Sequence, residues 1–151
     1  MQVEATHQAT PLVRKPPTST MFSMARRDRR AYLLITDLDD GRVLVLRNRR
    51  GSWTLPGGRA RRGEKLRQAA VREAFEETGL VVSPTVRVAR QRSRRRLWKV
   101  FLADASPPLD PKPHREIRQV RWVCPEQAVK LLRKKVCRQA VQALSSHLSF
   151  R

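Results

Sequence analysis

One segment in the middle of the chain, residues 58–80, constrains the fold and the chemistry more than any other. It reads GRARRGEKLRQAAVREAFEETGL, in which a glycine-containing loop leads into a helical pattern. We predict a helix over residues 64–78, because glycine at position 79 is typical of the residue that follows a helix. The apolar positions of this helix share one stripe at helical spacing, which is expected to pack on a sheet. They are Leu66, Ala70, Val71, Ala74 and Phe75.

Three glutamates gather on another arc of the same helix. Glu73, Glu76 and Glu77 are spaced at i, i+3 and i+4, so their carboxylates lie close together and repel one another. Such a cluster requires either a solvated surface or a bound cation, and hard oxygen ligands suit Mg²⁺ or Mn²⁺. Two neighbouring features favour the cation. Arg72 is placed to orient a carboxylate, and the glycines at 57–58 let a backbone carbonyl approach a metal closely.

These residues resemble the signature of the Nudix hydrolase family, G-x5-E-x7-R-E-U-x-E-E-x-G-U, in which U is an aliphatic residue. Ala74 and Leu80 occupy the two U positions. All of the fixed positions are present, as Gly58, Glu64, Arg72, Glu73, Glu76, Glu77 and Gly79. The resemblance implies an α/β/α sandwich with a mixed β-sheet, and a metal-dependent pyrophosphohydrolase that breaks a phosphoanhydride bond.

The resemblance also implies which residues hold the metal. Glu73 and Glu77 would be the core ligands of Mg²⁺ or Mn²⁺, with the Gly58 carbonyl as a third. Glu64 would support a second metal or anchor the loop.

The general base is left open by the resemblance, because family members differ in which acid takes the proton. Glu76 would be a metal ligand or the base that deprotonates water, and Arg72 would hold Glu73 in place. Glu116 is a candidate base beyond the motif, since the stretch 110–122 contains no other glutamate.

The rest of the chain predicts an α/β (α+β) arrangement around this helix. Strands are predicted at 31–36, 42–48, 81–90, 95–104 and 117–123, and residues 50–64 are predicted to be a loop. Asp40-Gly41 is a hairpin-turn signal between the first two strands. Pro125 is well placed to open a C-terminal helix, and the length of that helix suggests a break near Arg133–Lys135.

The length of 151 residues is that of one domain. We expect a flexible N-terminal leader over residues 1–24 and a Nudix hydrolase domain over residues 25–151. No apolar run approaches the roughly 18 residues that a membrane-spanning helix needs, and the N-terminal residues lack the apolar core of a signal peptide. The two cysteines, Cys124 and Cys137, lack a metal-binding spacing. A cytoplasmic location without a membrane partner is therefore expected.

The net charge of +20 implies an anionic partner, since 33 Lys and Arg residues face only 13 Asp and Glu. Most of the cations are arginine, whose planar fork pairs with phosphate oxygens bidentately. A nucleic acid such as RNA, a membrane surface and a small polyphosphate all fit this charge. Four intact glutamates in the motif favour catalysis over binding alone, because they would repel a phosphate backbone. No protein partner can be inferred.

Five cations are expected to converge on the metal site as substrate-binding residues. They are Arg30, Arg47, Arg50, Arg96 and Lys135. With the C-terminal Arg-Trp and the helix pattern that follows it, this arrangement resembles the diphosphoinositol-polyphosphate and diadenosine-polyphosphate branch of the family. That resemblance implies a small, densely phosphorylated substrate. Two alternatives stay open: a nucleotide diphosphatase for a damaged nucleotide, ADP-ribose or an RNA 5′ end, and a non-catalytic nucleic-acid-binding protein of the same fold.

Overall fold

The computed structural model describes residues 26–105, 107 and 109–148. The leader predicted for residues 1–24 lies outside the described residues. The described elements are, in chain order, β1 (Asp28–Ile35), β2 (Val43–Asn48), β3 (Trp53–Thr54), β4 (Gly57–Arg59), α1 (Leu66–Thr78), β5 (Val82–Arg92), β6 (Arg96–Ala105), β7 (Ile117–Val123), α2 (Pro125–Leu131) and α3 (Lys135–Leu148).

The strands form two sheets, one of four strands in the order β4-β1-β6-β5 and one of three strands in the order β3-β2-β7. In the four-stranded sheet β1 runs parallel to β6, whereas β4 and β5 pair antiparallel with their neighbours. Both neighbours of β2 are antiparallel to it. The predicted mixed sheet is confirmed.

Two apolar layers hold the helices on opposite sides of these sheets. Alternating residues of β1 divide between the layers, with Leu33 packed towards α1 and Leu34 packed towards α3. The same alternation places Leu44 in the first layer and Val45 in the second. Because β1 and β2 are buried on both faces, the strands read as continuous apolar runs, as is typical of a sheet covered by helices on both sides. The predicted α/β/α sandwich is confirmed.

The turn predicted at Asp40-Gly41 forms, but the hairpin does not continue beyond it. Gly41 adopts φ 70° and donates its N–H to the Asp37 carbonyl at 2.8 Å. One bridge between Thr36 and Val43 follows, after which β1 and β2 enter different sheets. The prediction of two paired strands was wrong because β1 takes β4 and β6 as its neighbours.

The loop predicted over residues 50–64 contains two short strands, β3 and β4. These strands pair with β2 and β1 respectively. Gly57 and Gly58 of β4 lie opposite Tyr32 and Ala31 of β1, respectively. The glycines and Pro56 suggested an irregular segment, but the lack of a Cβ is what lets this segment approach β1.

The central helix α1 begins two residues later than predicted and ends as predicted. Glu64 instead belongs to a turn, in which its N–H donates to the Arg61 carbonyl at 3.1 Å. Gly79 closes the helix with φ 74° and an N–H bond to Phe75 O of 2.8 Å. The side chain of Phe75 is 56% exposed, so its assignment to the buried stripe was wrong. Ala69 takes the buried position, because the buried face is centred on Leu66, Ala70 and Ala74.

The predicted break in the C-terminal helix is confirmed, since α2 ends at Leu131 and α3 begins at Lys135. Leu132 has extended backbone angles and forms a parallel bridge with Trp53 of β3. This bridge ties the α2–α3 connection to the second sheet. No helix among the described residues is long and apolar enough to cross a membrane.

Candidate active site

A pocket of about 390 Å³ is lined by residues of β1, β4, α1 and the α2–α3 connection. Both acidic and basic side chains line it. The acidic residues are Glu73, Glu77 and Glu116. The basic residues are Arg30, Arg59 and Lys134. Three of the predicted ligands (Glu73, Glu77 and Gly58), the candidate base beyond the motif and one predicted substrate-binding arginine therefore share one cavity.

Glu77 is the most buried carboxylate of the pocket, with only 3% of its surface exposed. Its Oε1 accepts a hydrogen bond of 2.8 Å from the N–H of Gly57. Burial is the main cause that raises the pKa of Glu77, to about 8; the negative charges of Glu73 and Glu116 act in the same direction, and the Gly57 N–H and Lys134 act against it. A buried carboxyl facing two further carboxylates needs a proton or a cation to neutralise it.

Glycine is required at positions 57 and 58 for different reasons. Gly57 adopts φ 146°, and a Cβ there would lie 2.2 Å from the Ala31 carbonyl oxygen. A Cβ on Gly58 would instead lie 2.7 Å from the carboxyl carbon of Glu73. The carboxylate of Glu73 therefore packs directly on the backbone at Gly58. This contact brings one predicted metal ligand next to another.

Arg72 connects the loop before α1 to the carboxylates on α1. Its Nε and Nη2 donate to the two oxygens of Glu64 at 2.8 and 3.0 Å, and its Nη1 donates to Glu73 at 3.0 Å. The Arg72 guanidinium lowers the pKa of Glu64 to about 2, mainly through these hydrogen bonds. Glu64 Oε2 also accepts the Arg61 N–H at 2.8 Å. Both oxygens of Glu64 are thus engaged, which favours its role as a loop anchor over that of a metal ligand.

Glu76 is oriented towards arginines and does not line the pocket. Its Oε2 lies 3.1 Å from Nη1 of Arg72 and 3.1 Å from Nη1 of Arg115, while Oε1 lies 3.7 Å from Nη2 of Arg61. The predicted roles of Glu76 as ligand or base therefore require its side chain to leave these ion pairs.

Glu116 lies at the mouth of the pocket, just before β7. Its side chain is exposed, and its backbone carbonyl accepts the Arg49 N–H at 3.0 Å. The backbone of Arg115, with φ 56°, turns the chain immediately before it. The structure thus brings the candidate base from outside the motif to the same cavity as Glu77.

Lys134 lines the pocket and was not predicted from the sequence. It is half-buried, with Nζ 3.4 Å from Thr54 Oγ1 and 5.4 Å from the centre of the Tyr32 ring. Burial, followed by the positive charge of Arg30, lowers its pKa. The neighbouring Lys135 was predicted instead, and it is exposed at the start of α3. The bridge between Leu132 and Trp53 described above determines which of the two lysines faces the pocket.

The predicted convergence of arginines holds for Arg30 but needs correction for three others. Arg47 lines a different depression, together with Arg118, whereas its neighbour Asn48 lines both that depression and the pocket. Arg50 is exposed in the turn after β2. The guanidinium of Arg96 lies 5.1 Å above the ring centre of Trp98 and does not line the pocket.

A second cleft of about 540 Å³, which we call the arginine cleft, adjoins this pocket. Its arginines are Arg26, Arg27, Arg29, Arg59, Arg61 and Arg62. The acidic residue Asp28 also lines it, but Asp28 already accepts from Arg30 at 3.0 Å and lies 3.3 Å from Arg59. Arg59 lines both cavities. The pocket and this strongly basic cleft therefore share Arg59 as part of their walls.

The donor set of the pocket suits a hard divalent cation that keeps part of its water. Within residues 26–105, 107 and 109–148, no three carboxylate, imidazole or thiol side chains are grouped closely enough to hold an ion by themselves. Glu73 and Glu77 nevertheless share one pocket, and Glu77 is buried without a full counter-charge. The Gly58 carbonyl, water and substrate oxygens would complete the shell, as is usual for Mg²⁺.

Comparisons with known proteins agree with this geometry. The family model described as the NUDIX domain matches residues 26–144. The "Uncharacterized Nudix hydrolase YvcI" of Bacillus subtilis is 37% identical over 54 residues, which are 35% of this chain and 34% of that protein. The "Nucleoside diphosphate-linked moiety X motif 6" of Xenopus laevis is 43% identical over 49 residues, or 30% of this chain and 23% of that one. The chain thus spans about a third or less of the length of these curated relatives.

The fold is also similar to that of solved structures. The structure of an Ap4A hydrolase binary complex from C. elegans has a TM-score of 0.67 and 22% sequence identity, and the match covers 82% of this chain and 99% of that chain. At this identity the similarity concerns the fold. It agrees with the mixed sheet between helices described above.

Proposed function

Because the chain belongs to the NUDIX domain family, we propose that it hydrolyses a phosphoanhydride bond in a small, polyanionic substrate that contains a diphosphate. One observation carries the proposal. Glu73, Glu77 and Glu116 share a pocket with the cations Arg30 and Lys134. Such a pocket offers oxygen ligands for a metal beside positive groups for phosphate oxygens.

Mg²⁺ or Mn²⁺ would be held by Glu73, Glu77 and the Gly58 carbonyl. When bound, the cation supplies Lewis-acid stabilisation of charge on the diphosphate. The N–H of Gly57 orients Glu77, and Arg72 fixes the position of Glu73. Both carboxylates are thereby held in place before a ligand arrives, which reduces the cost of ordering them.

The remaining residues of the pocket bind substrate and move the proton. We assign Arg30 and Lys134 to the substrate phosphates, because both side chains line the cavity. We assign Glu116 to general base catalysis, since it is exposed there and is not one of the carboxylates held by Arg72. Water attacks phosphorus, the anhydride P–O bond breaks, and the proton of water passes to the carboxylate. Two phosphorylated products, or one and orthophosphate, leave the site.

For the substrate we favour a small polyphosphorylated molecule, either an inositol pyrophosphate or a dinucleoside polyphosphate. The arginine cleft supports this choice, because it continues the pocket through Arg59 and offers sites for further phosphates. The aromatic rings favour the inositol pyrophosphate of these two, because it has no nucleobase. Trp98 carries the guanidinium groups of Arg30 and Arg96 at 5.5 and 5.1 Å from its ring centre, so these cations cover a ring that a nucleobase would otherwise stack on.

A nucleotide diphosphatase is the second candidate, acting on a nucleoside diphosphate linked to another group. The Xenopus relative supports it by its name. The pocket itself accommodates either class, since the metal ligands and the two cations recognise only the diphosphate.

Replacement of one buried carboxyl tests the proposed reaction. Phosphate release from a panel of inositol pyrophosphates, dinucleoside polyphosphates and nucleoside triphosphates should require Mg²⁺ or Mn²⁺ and should stop in excess EDTA. Glu77→Gln should abolish turnover, because it removes the ligand charge while preserving shape, and circular dichroism should show the fold retained. Glu126→Gln, an exposed glutamate on α2, is the matched control. Turnover in EDTA, or equal rates for both variants, would refute the metal assignment.

Replacement of one arginine tests the substrate class. Arg62 lines the arginine cleft but not the pocket, so Arg62→Gln should raise KM for a polyphosphorylated substrate about tenfold, as expected for one charge-assisted contact. It should change KM for a nucleoside triphosphate little. Arg133→Gln, an exposed arginine elsewhere, should affect neither. Equal effects of Arg62→Gln on both substrates would favour the second candidate.

A further inference from the structure

A second group of cations covers part of the four-stranded sheet on its α1 side, away from the pocket. We call Arg29, Arg67, Arg87, Arg90 and Lys99 the sheet-face cluster. Lys99 lies beside Ala31 of β1 and opposite Arg90 of β5, so the three side chains share one face. Ala31 belongs to the apolar layer that contacts α1. That face of the sheet therefore continues from apolar residues under α1 to cations beyond the helix.

The other members of the cluster reach the same face. Arg87 lies opposite Phe101, and the guanidinium of Arg67 lies 4.8 Å above the ring centre of Phe101. Arg29 lies two residues before Ala31 on β1, and side chains two apart point to the same side. Burial is the largest cause that lowers the pKa of Lys99, and the positive charges of the four arginines also lower it. The five cations thus form one electrostatic unit.

No carboxylate in the described part of the chain forms an ion pair with any of these five residues. Arg29 and Arg67 donate instead to backbone carbonyls, those of Glu64 and Pro84. Like charges directly opposite each other on a sheet are destabilising, and Arg90 and Lys99 are such a pair. Arginines that served only as solvated surface would not need to lie opposite another cation without a carboxylate partner. A polyanion bound across the face would relieve the repulsion.

The residue types on the face indicate which kind of partner would bind there: a protein, a membrane or a nucleic acid. Arginine predominates, and its planar fork matches phosphate oxygens. The exposed large apolar residues of the described chain are Leu38, Phe75, Val81 and Val86, and of these only Val86 is next to a member of the cluster in sequence. A protein interface needs an apolar centre, and a helix or sheet that inserts into a membrane needs apolar side chains among its cations. A phosphate backbone needs only the cations.

We propose that the sheet-face cluster binds the phosphate backbone of a nucleic acid without regard to base sequence. This binding goes beyond the proposed hydrolysis and does not depend on it. Arg29 also lines the arginine cleft, so the sheet-face cluster is continuous with that cleft. The metal ligands are not part of the surface, which removes the repulsion that four glutamates would otherwise impose on a backbone.

Fluorescence anisotropy with labelled oligonucleotides tests this proposal on the full chain in EDTA, where no hydrolysis takes place. Oligonucleotides of roughly 20 nucleotides exceed the usual single-strand site, and single-stranded RNA, single-stranded DNA and duplex DNA of that length form separate arms. The test variant is Arg87→Gln/Arg90→Gln/Lys99→Gln. The control Arg49→Gln/Arg118→Gln/Arg133→Gln removes the same charge from exposed arginines elsewhere, and circular dichroism verifies both folds.

The test variant should bind at least one of these nucleic acids more than tenfold more weakly than the wild type. The slope of log K against log salt should shrink by about 2, because each lost phosphate contact contributes roughly 0.7 to 0.9. The control should keep the wild-type slope. Equal weakening by both variants would overturn the proposal, as would wild-type binding to vesicles of anionic lipid but to no oligonucleotide. Hydrolysis of the small substrate by the test variant should stay at the wild-type rate, so a failure of the proposed hydrolysis is distinguishable from a failure of nucleic-acid binding.

Discussion

The guanidinium of Arg72 donates to both carboxylate oxygens of Glu64, from Nε at 2.8 Å and from Nη2 at 3.0 Å. Nη1 reaches Glu73 and Glu76, and Nη2 also reaches the Arg59 carbonyl. One side chain therefore fixes the loop that precedes α1 and the carboxylates on α1. The fork of arginine allows this, because its donors lie in one plane and point in different directions.

Arg72→Lys should destabilise the protein although it keeps the charge. Lysine lacks the planar fork and loses the paired contact with Glu64. A hydrogen bond to a charged group contributes about 1.5–3 kcal/mol, and both side chains are mostly shielded from solvent, with 19% and 15% exposed. Urea unfolding should show a loss of that size, while Arg133→Lys should show none. An unchanged urea midpoint for Arg72→Lys would mean that these contacts contribute nothing net.

Gly58→Ala should damage the site without unfolding the chain. The new Cβ would lie 2.7 Å from the carboxyl carbon of Glu73, so the carboxylate must move. A displacement of about 1 Å in an active site can cost on the order of a hundredfold in rate, and steady-state kinetics should show a loss of this order with a normal circular dichroism spectrum. Gly57→Ala provides the contrast, because its Cβ would meet backbone at φ 146°; it should lower the melting temperature strongly. Wild-type turnover by Gly58→Ala would show that the position of Glu73 is not important.

Lys134→Gln should raise KM about tenfold, because it removes one charge-assisted contact with substrate phosphate. Lys135→Gln is a suitable neighbour control, since Lys135 is exposed and does not line the pocket. Both variants lose one positive charge, so a long-range effect of charge would appear equally in the two. The KM values of both variants should be measured at about physiological ionic strength, where such long-range effects are screened. A larger effect from Lys135→Gln would support the assignment of Lys135 to the substrate instead.

Local patterns predicted the parts of the structure that local geometry determines. The spacing of Glu73 and Glu77 on one helix and the C-terminal Gly79 follow from helical periodicity and capping, and the break before Lys135 was inferred from the length of the predicted helix. The sandwich follows from the order of the elements. All of these features depend on residues that are close in sequence.

Features that depend on strand register could not be predicted in the same way. Arg47 and Asn48 are neighbours on β2, and a shift of one residue decides which side chain faces the pocket. Lys134 and Lys135 are likewise neighbours of which one lines the pocket, and the bridge from Leu132 to Trp53 fixes the chain just before them. A cross-strand pairing of this kind leaves no signal in a single sequence.

The pH dependence of stability should report the burial of Glu77 in metal-free protein. Its pKa is raised from 4.5 to about 8 in the folded chain, so the folded state holds this proton more tightly than the unfolded state. The stabilisation is complete below about pH 4.5 and is lost progressively as the pH rises towards 8. A tenfold difference in proton affinity between the two states corresponds to about 1.4 kcal/mol, so the stability lost over this pH range amounts to several kcal/mol.

Glu77→Gln isolates this effect, because glutamine cannot ionise and all other titrating groups are the same. In EDTA the wild type should become less stable than Glu77→Gln as the pH rises between these limits, and the difference in free energy of unfolding should level off above pH 8 or so. Mg²⁺ should then restore stability to the wild type at high pH, since a bound cation favours the ionised carboxylate, and should do so much less for Glu77→Gln. Urea unfolding at a series of pH values measures both quantities. Parallel stability curves for the two proteins in EDTA would show that the Glu77 carboxyl is ionised in the fold without a metal, and the need for a cation at this site would lose its physical basis.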